Sequence, residues 1–167
     1  MRLLIAAGLL LVAALMQSVV GRSLPVVHGR PDFPLVVVLV WAMLQGSAEG
    51  AMVGFIGGLL LDTVSYTPFG INTALLGLLG YCAGLPEANA YRGNLPFFVA
   101  TAAVITVVYH SLVFVLLQAL GLALPPLIQT YATALPAAAL NALLLAPTLV
   151  LCRRLLRTMN GWTQLRL

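Results

Sequence analysis

Six apolar stretches divide the chain, set off by short polar or proline-containing segments except between the second and third, where Gly46 alone intervenes. About 20 apolar residues cross a bilayer as a helix, so the pattern predicts spans over 3–20, 32–45, 47–64, 68–85, 97–120 and 128–151. The second is short for a full crossing. GRSLPVVHGRP separates the first span from the second, SYTPFG the third from the fourth, PEANAYRGNLP the fourth from the fifth, and LALPP the fifth from the sixth. Thr67 and Pro68 read as the cap and first residue of the fourth helix. Arg153 and Arg154 read as the stop of the sixth. The N-terminal MRLLIAAGLLLVAALMQSVVG has Arg2 and an apolar core, but Met16-Gln17-Ser18 lacks a small-x-small cleavage pattern, so it reads as an uncleaved first helix. The expectation is a single all-α transmembrane domain over 1–167, with no room for a soluble one.

Composition agrees with that pattern. Hydrophobic residues make up 62% of the chain, charged residues 7%, and the mean hydropathy is +1.07, far outside the range of soluble domains. Lysine is absent, and the acids are Asp32, Glu49, Asp62 and Glu87. Six spans put Arg2, Arg92, Arg153, Arg154, Arg157 and Arg166 on one side and Arg22 and Arg30 on the other, which predicts cytoplasmic termini. Arg153, Arg154 and Arg157 read as an anchor to anionic lipid. These arginines lie at the ends of apolar runs with no aromatic interleaving, so nucleic-acid binding is not expected. Cys82 and Cys152 have no CxxC or Cys/His company, so no zinc site or disulfide framework is indicated.

Within the third stretch, Gly46, Gly50, Gly54 and Gly58 stand at successive i+4 positions, and Asp62 is next in the series. Glycine costs about 1 kcal/mol against alanine in a water-exposed helix, whereas in a bilayer it lets backbones approach closely. With a drift of roughly 40° per i+4 step, Gly46, Gly50, Gly54 and Gly57 share one face and Asp62 lies well round from Gly50. Gly46, Gly50, Gly54, Gly57 and Gly58 are therefore the expected helix-packing or partner interface. Ala134, Ala138, Ala142 and Ala146 form a similar ladder on the sixth span, and Gly77, Gly80 and Gly84 on the fourth.

Four polar residues inside or beside the spans are the candidates for chemistry. Asp62, near the outer end of its helix, can cap the following turn or pair with Arg22 or Arg30. Asn72 should lie beside it, near the outer end of the next helix. His110 and Asn141 fall near mid-membrane on the fifth and sixth spans at similar depth. They read either as a cross-helix hydrogen bond, worth on the order of 1 kcal/mol, or as the polar spot of an intramembrane pocket. With no second intramembrane acid near that depth, a proton relay is not expected. His28 is a loop histidine without ligand partners. GxSxG, HExxH, a P-loop and paired carboxylates are all missing, so no catalytic, cofactor or metal site is expected.

From Pro31 to Gly84 the chain reads PDF, an apolar run, a Gly46 turn, GxxxGxxGGLLLD, a polar turn ending in FGINTALLG, and LLGYCAG. This resembles the rod shape-determining protein family MreD. The resemblance implies a non-enzymatic scaffold in the bacterial inner membrane that helps control peptidoglycan synthesis during rod-shaped growth. Its partners would be the bitopic protein MreC, alongside the MreB filament, a RodA-type glycosyltransferase and a class B penicillin-binding protein. It also implies a six-helix bundle similar to the substrate-binding subunits of energy-coupling-factor transporters. That likeness keeps open a vitamin-like small-molecule-binding transporter subunit. The AxxxA docking step of those subunits is missing, because Leu10 and Leu11 follow Ala6 and Ala7.

Overall fold

The computed structural model describes residues 2–23, 29–65, 67–85, 95–122, 124 and 126–164. These form six helices, α1 (Arg2–Ser23), α2 (Phe33–Gln45), α3 (Ser47–Val64), α4 (Ile71–Ala83), α5 (Leu95–Ala119) and α6 (Leu127–Gln164), with no strand among them. His28, Glu87, Arg92 and Arg166 lie outside the described residues, as does the side chain of Arg22. Four helices, α1, α3, α5 and α6, are long and apolar enough to cross a membrane. One helix falls on each of the six expected stretches, and the other two, α2 and α4, are apolar but shorter. At 13 residues each, α2 and α4 are about 20 Å long by the helical rise.

α2 is the central element. Every residue from Pro34 to Met43 is buried, as expected of a helix that is apolar all round, and α2 packs against all five others. Trp41, fully buried, donates its indole N–H to Glu49 Oε2 at 3.2 Å. A single residue, Gly46, turns α2 into α3. Its φ of 102° lies in the left-handed region and a Cβ there would meet open space, so Gly46 itself is needed for its conformation, while its backbone is approached closely by Gly84.

α3 and α4 form the tightest pair, antiparallel and in register. Gly84 lies on Gly46 and Ser47, Gly80 on Gly50, Leu76 and Gly77 on Gly54, and Thr73 on Gly58. An added Cβ at Gly50, Gly54 or Gly58 would collide with α4 backbone. The ridge is filled from within the chain, because α4 follows the inclined i±4 row. That incline brings Asp62 onto the same seam, against the straight-axis expectation that set it well round from Gly50. Gly57 leaves the seam and faces Leu10 of α1 and Val38 of α2.

Two helix ends also differ from the sequence reading. α4 begins at Ile71, not at Pro68, with Gly70 (φ 101°) before its first turn. Thr67 does not cap it and instead bonds Asn72. α6 continues past Arg153 and Arg154 to Gln164. Its buried stripe, Leu145, Leu149, Cys152 and Leu156, carries on at helical spacing, so nothing breaks it at the arginines.

Candidate functional site: two linked polar clusters at the starts of the short helices

α2 and α4 both begin inside the bundle, where the first N–H groups of a helix need partners. Neither has a side-chain cap of its own. Each is capped instead by polar side chains from the longer helices.

Asp62, buried near the end of α3, serves α4. Its Oδ2 accepts from the backbone N–H of Gly70 (2.9 Å) and Thr73 (3.0 Å) and from the Thr73 hydroxyl (2.5 Å). Its Oδ1 accepts from the Asn72 N–H at 3.1 Å. A carboxylate at this helix end also meets the positive end of the dipole. The buried Asn72 side chain donates to Thr67 Oγ1 (2.6 Å) and Ser65 Oγ (3.1 Å), and accepts from the Tyr109 hydroxyl at 2.7 Å. Asp62 and Asn72 therefore tie the segment from Ser65 to Gly70 to α3, α4 and α5. No salt bridge joins Asp62 to Arg30, and the Arg22 side chain lies outside the described residues.

α2 is served from α6 and α1. The Asp32 N–H donates to Asn141 Oδ1 at 2.8 Å, and the Phe33 N–H to Gln17 Oε1 at 3.1 Å. Asn141 Nδ2 reaches Asp32 Oδ2 (3.4 Å) and Thr106 Oγ1 (3.1 Å). His110 places Nδ1 2.9 Å from the Thr106 carbonyl, which assigns the proton to Nδ1, and Nε2 3.6 Å from Asp32 Oδ2. His110 and Asn141 do not bond each other directly; both converge on Asp32.

The expectation that no second acid lies near His110 is therefore corrected. Asp32 reaches that depth because residues 29–32 run inward along α6. Gly29 lies so close to Pro136 and Ala137 that a Cβ on it would sit 2.5 Å from the Ala137 nitrogen. Asn141 is twelve residues above Arg153, about 18 Å along the helix. Sequence reading also passed over Gln17, Thr106 and Tyr109. The polar Gln17 in an otherwise apolar span, and the Asp-Phe-Pro helix start at 32–34, were the available signals.

The clusters meet through the adjacent residues Tyr109 and His110, whose rings pack edge to face at 5.4 Å. Both border a cavity of about 340 Å³, whose lining includes Gln17, Arg30, Asp32, Ser65, Thr67 and Asn72. A second lobe of about 380 Å³ shares Gln17, Arg30, Asp32 and His110 and reaches Thr133. Among the described residues, no group of three or more His, Cys, Asp or Glu is placed to hold a metal ion.

The long apolar helices and buried polar caps define an all-helical membrane protein with a polar recess among its helices. Residues 1–159 match the model of the rod shape-determining protein MreD family. The chain belongs to that family, and family and apolar helices together make it an inner-membrane protein concerned with rod shape. No curated protein and no solved structure matches it, so the likeness to energy-coupling-factor subunits draws no support from known structures.

Proposed function

We propose that the chain is a non-enzymatic scaffold of the cell-elongation machinery, which binds an MreC-like bitopic membrane protein and through it helps control peptidoglycan synthesis. RodA-type glycosyltransferase, class B penicillin-binding protein and MreB would act alongside. Membership of the MreD family supports the setting. The observation that carries the docking proposal is the turn between α3 and α4. Asp62 and Asn72 hold its two ends, yet Phe69 within it is 69% exposed. A rigidly mounted, exposed aromatic is a favourable anchor for a partner, because little further ordering is needed on binding. Phe69→Ser should lower capture of the MreC-like partner by about tenfold or more, the range of an interface hot spot, while the thermal stability of the isolated chain stays at the wild-type value. Equal capture by variant and wild type would remove the turn as the docking element.

The same reading places both termini in the cytoplasm and the α3–α4 turn outside, in keeping with the arginine asymmetry. Reporter fusions at Gly93 and at the C-terminus should give cytoplasmic signals. An external signal at either would refute this orientation.

A further inference from the structure

We propose that the two-lobed cavity binds the headgroup of an ethanolamine phospholipid, with the ammonium on Asp32 and the phosphate on Arg30. This goes beyond partner docking and does not depend on it. Asp32 Oδ2 is engaged by Asn141 and faces His110, but Oδ1 receives no hydrogen bond from the described residues. Arg30 is exposed and forms no salt bridge with them. Gln17 uses its carbonyl oxygen on the Phe33 N–H, which leaves its amide N–H groups available. One open anion, one open cation and one open amide donor thus line the same space.

The position of the cavity favours a lipid. Among the described residues α1 packs on α2 and α3 but makes no extended contact with α6, and the cavity lies between Gln17 of α1 and Thr133 of α6, two helices long and apolar enough to cross a bilayer. Leu61, Val64 and Val113 supply apolar lining for the glycerol end of the ligand. Volumes of a few hundred Å³ lie in the range of small-molecule sites, about 300–1,000 Å³.

The charges select the headgroup. A purely anionic head would satisfy Arg30 but meet the Asp32 carboxylate. A choline head carries positive charge but has no N–H to give Oδ1. A primary ammonium joined to a phosphate satisfies both groups.

The test uses the full-length chain in detergent, titrated with dioleoyl phosphatidylethanolamine, phosphatidylcholine or phosphatidylglycerol and read by thermal shift. The ethanolamine lipid should act at about tenfold lower concentration than the other two, as one charge-assisted hydrogen bond predicts. Asp32→Asn should erase the preference for ethanolamine over choline. Arg30→Gln, at an exposed side chain with no salt bridge among the described residues, should weaken all three lipids. Free phosphoethanolamine should compete with the ethanolamine lipid. Equal potency of the three lipids on the wild-type chain overturns the proposal, as does an ethanolamine preference that survives in Arg30→Gln with undiminished affinity. Failure of free phosphoethanolamine to compete overturns the headgroup assignment.

Discussion

Replacing Gly54 with leucine should remove the folded α3–α4 pair, the largest single effect expected from any substitution in this chain. The Cβ of even an alanine at this position would fall on the Leu76 carbonyl, 2.6 Å from its carbon and 3.0 Å from the Gly77 Cα. These atoms belong to helix backbone and cannot step aside as a side-chain tip can. Overpacking a well-filled core costs about 1–3 kcal/mol. Alanine should fall in that range and leucine beyond it, because the helices must separate along the whole seam. Gly58→Leu should behave alike, since its Cβ would meet Asn72 and Thr73 backbone. Gly8→Leu is the control, with nothing within 4 Å of the added atom. The measurement is the folded fraction of each full-length variant in detergent during denaturant titration. If Gly54→Leu unfolds at the same denaturant concentration as Gly8→Leu, the seam is not the close backbone contact described.

Much of this seam was legible in the sequence, because glycines at i+4 in an apolar run have few other uses. What the sequence did not reveal was the occupant. Gly77, Gly80 and Gly84 formed a ladder of their own, but the complementary register with Gly54, Gly50 and Gly46 needs α4 to fold back along the inclined row. The same incline explains Asp62, which a straight helical wheel turns away from Gly50 and the structure turns toward the start of α4.

The second polar cluster was less legible for a simple reason. Asp32 and Asn141 are 109 positions apart, and nothing local in either sequence context names the other. Asp32 looked like the residue before a short span at the membrane edge. Its depth follows from the inward path of residues 29–32, which depends on Gly29 fitting against Pro136. The lengths of α2 and α4 were hidden likewise. Apolar runs show where a helix can lie, whereas the first residue depends on which distant side chain satisfies the free N–H groups. Residues 67–70 illustrate this. Thr67-Pro68 is a sound local helix start, but Asp62 outbids it by offering a carboxylate to Gly70, Asn72 and Thr73.

That competition makes Asp62 the site of the second large effect. Asp62→Ala leaves the backbone N–H groups of Gly70, Asn72 and Thr73, and the Thr73 hydroxyl, without their acceptor. Each buried donor left unpaired costs about 1–3 kcal/mol, so the loss should reach about 3 kcal/mol or more even if some donors find water. Asp62→Asn should be milder but not neutral. An amide keeps one acceptor oxygen, which can serve the three donors now on Oδ2. Its NH₂ group then faces the Asn72 N–H, donor against donor. Tyr109→Phe removes only the bond to Asn72 Oδ1 and should cost about 1 kcal/mol. Membrane insertion should be unaffected in all three, because no span loses apolar length. Expression level, denaturant midpoint and capture of the MreC-like partner, measured together, give the expected order of Asp62→Ala, then Asp62→Asn, then Tyr109→Phe. A partner-capture defect in Asp62→Ala with an unchanged midpoint would mean that the carboxylate touches the partner itself. If capture and midpoint are both unchanged, the cap contributes nothing to either fold or assembly, and the turn that carries Phe69 is held by other contacts.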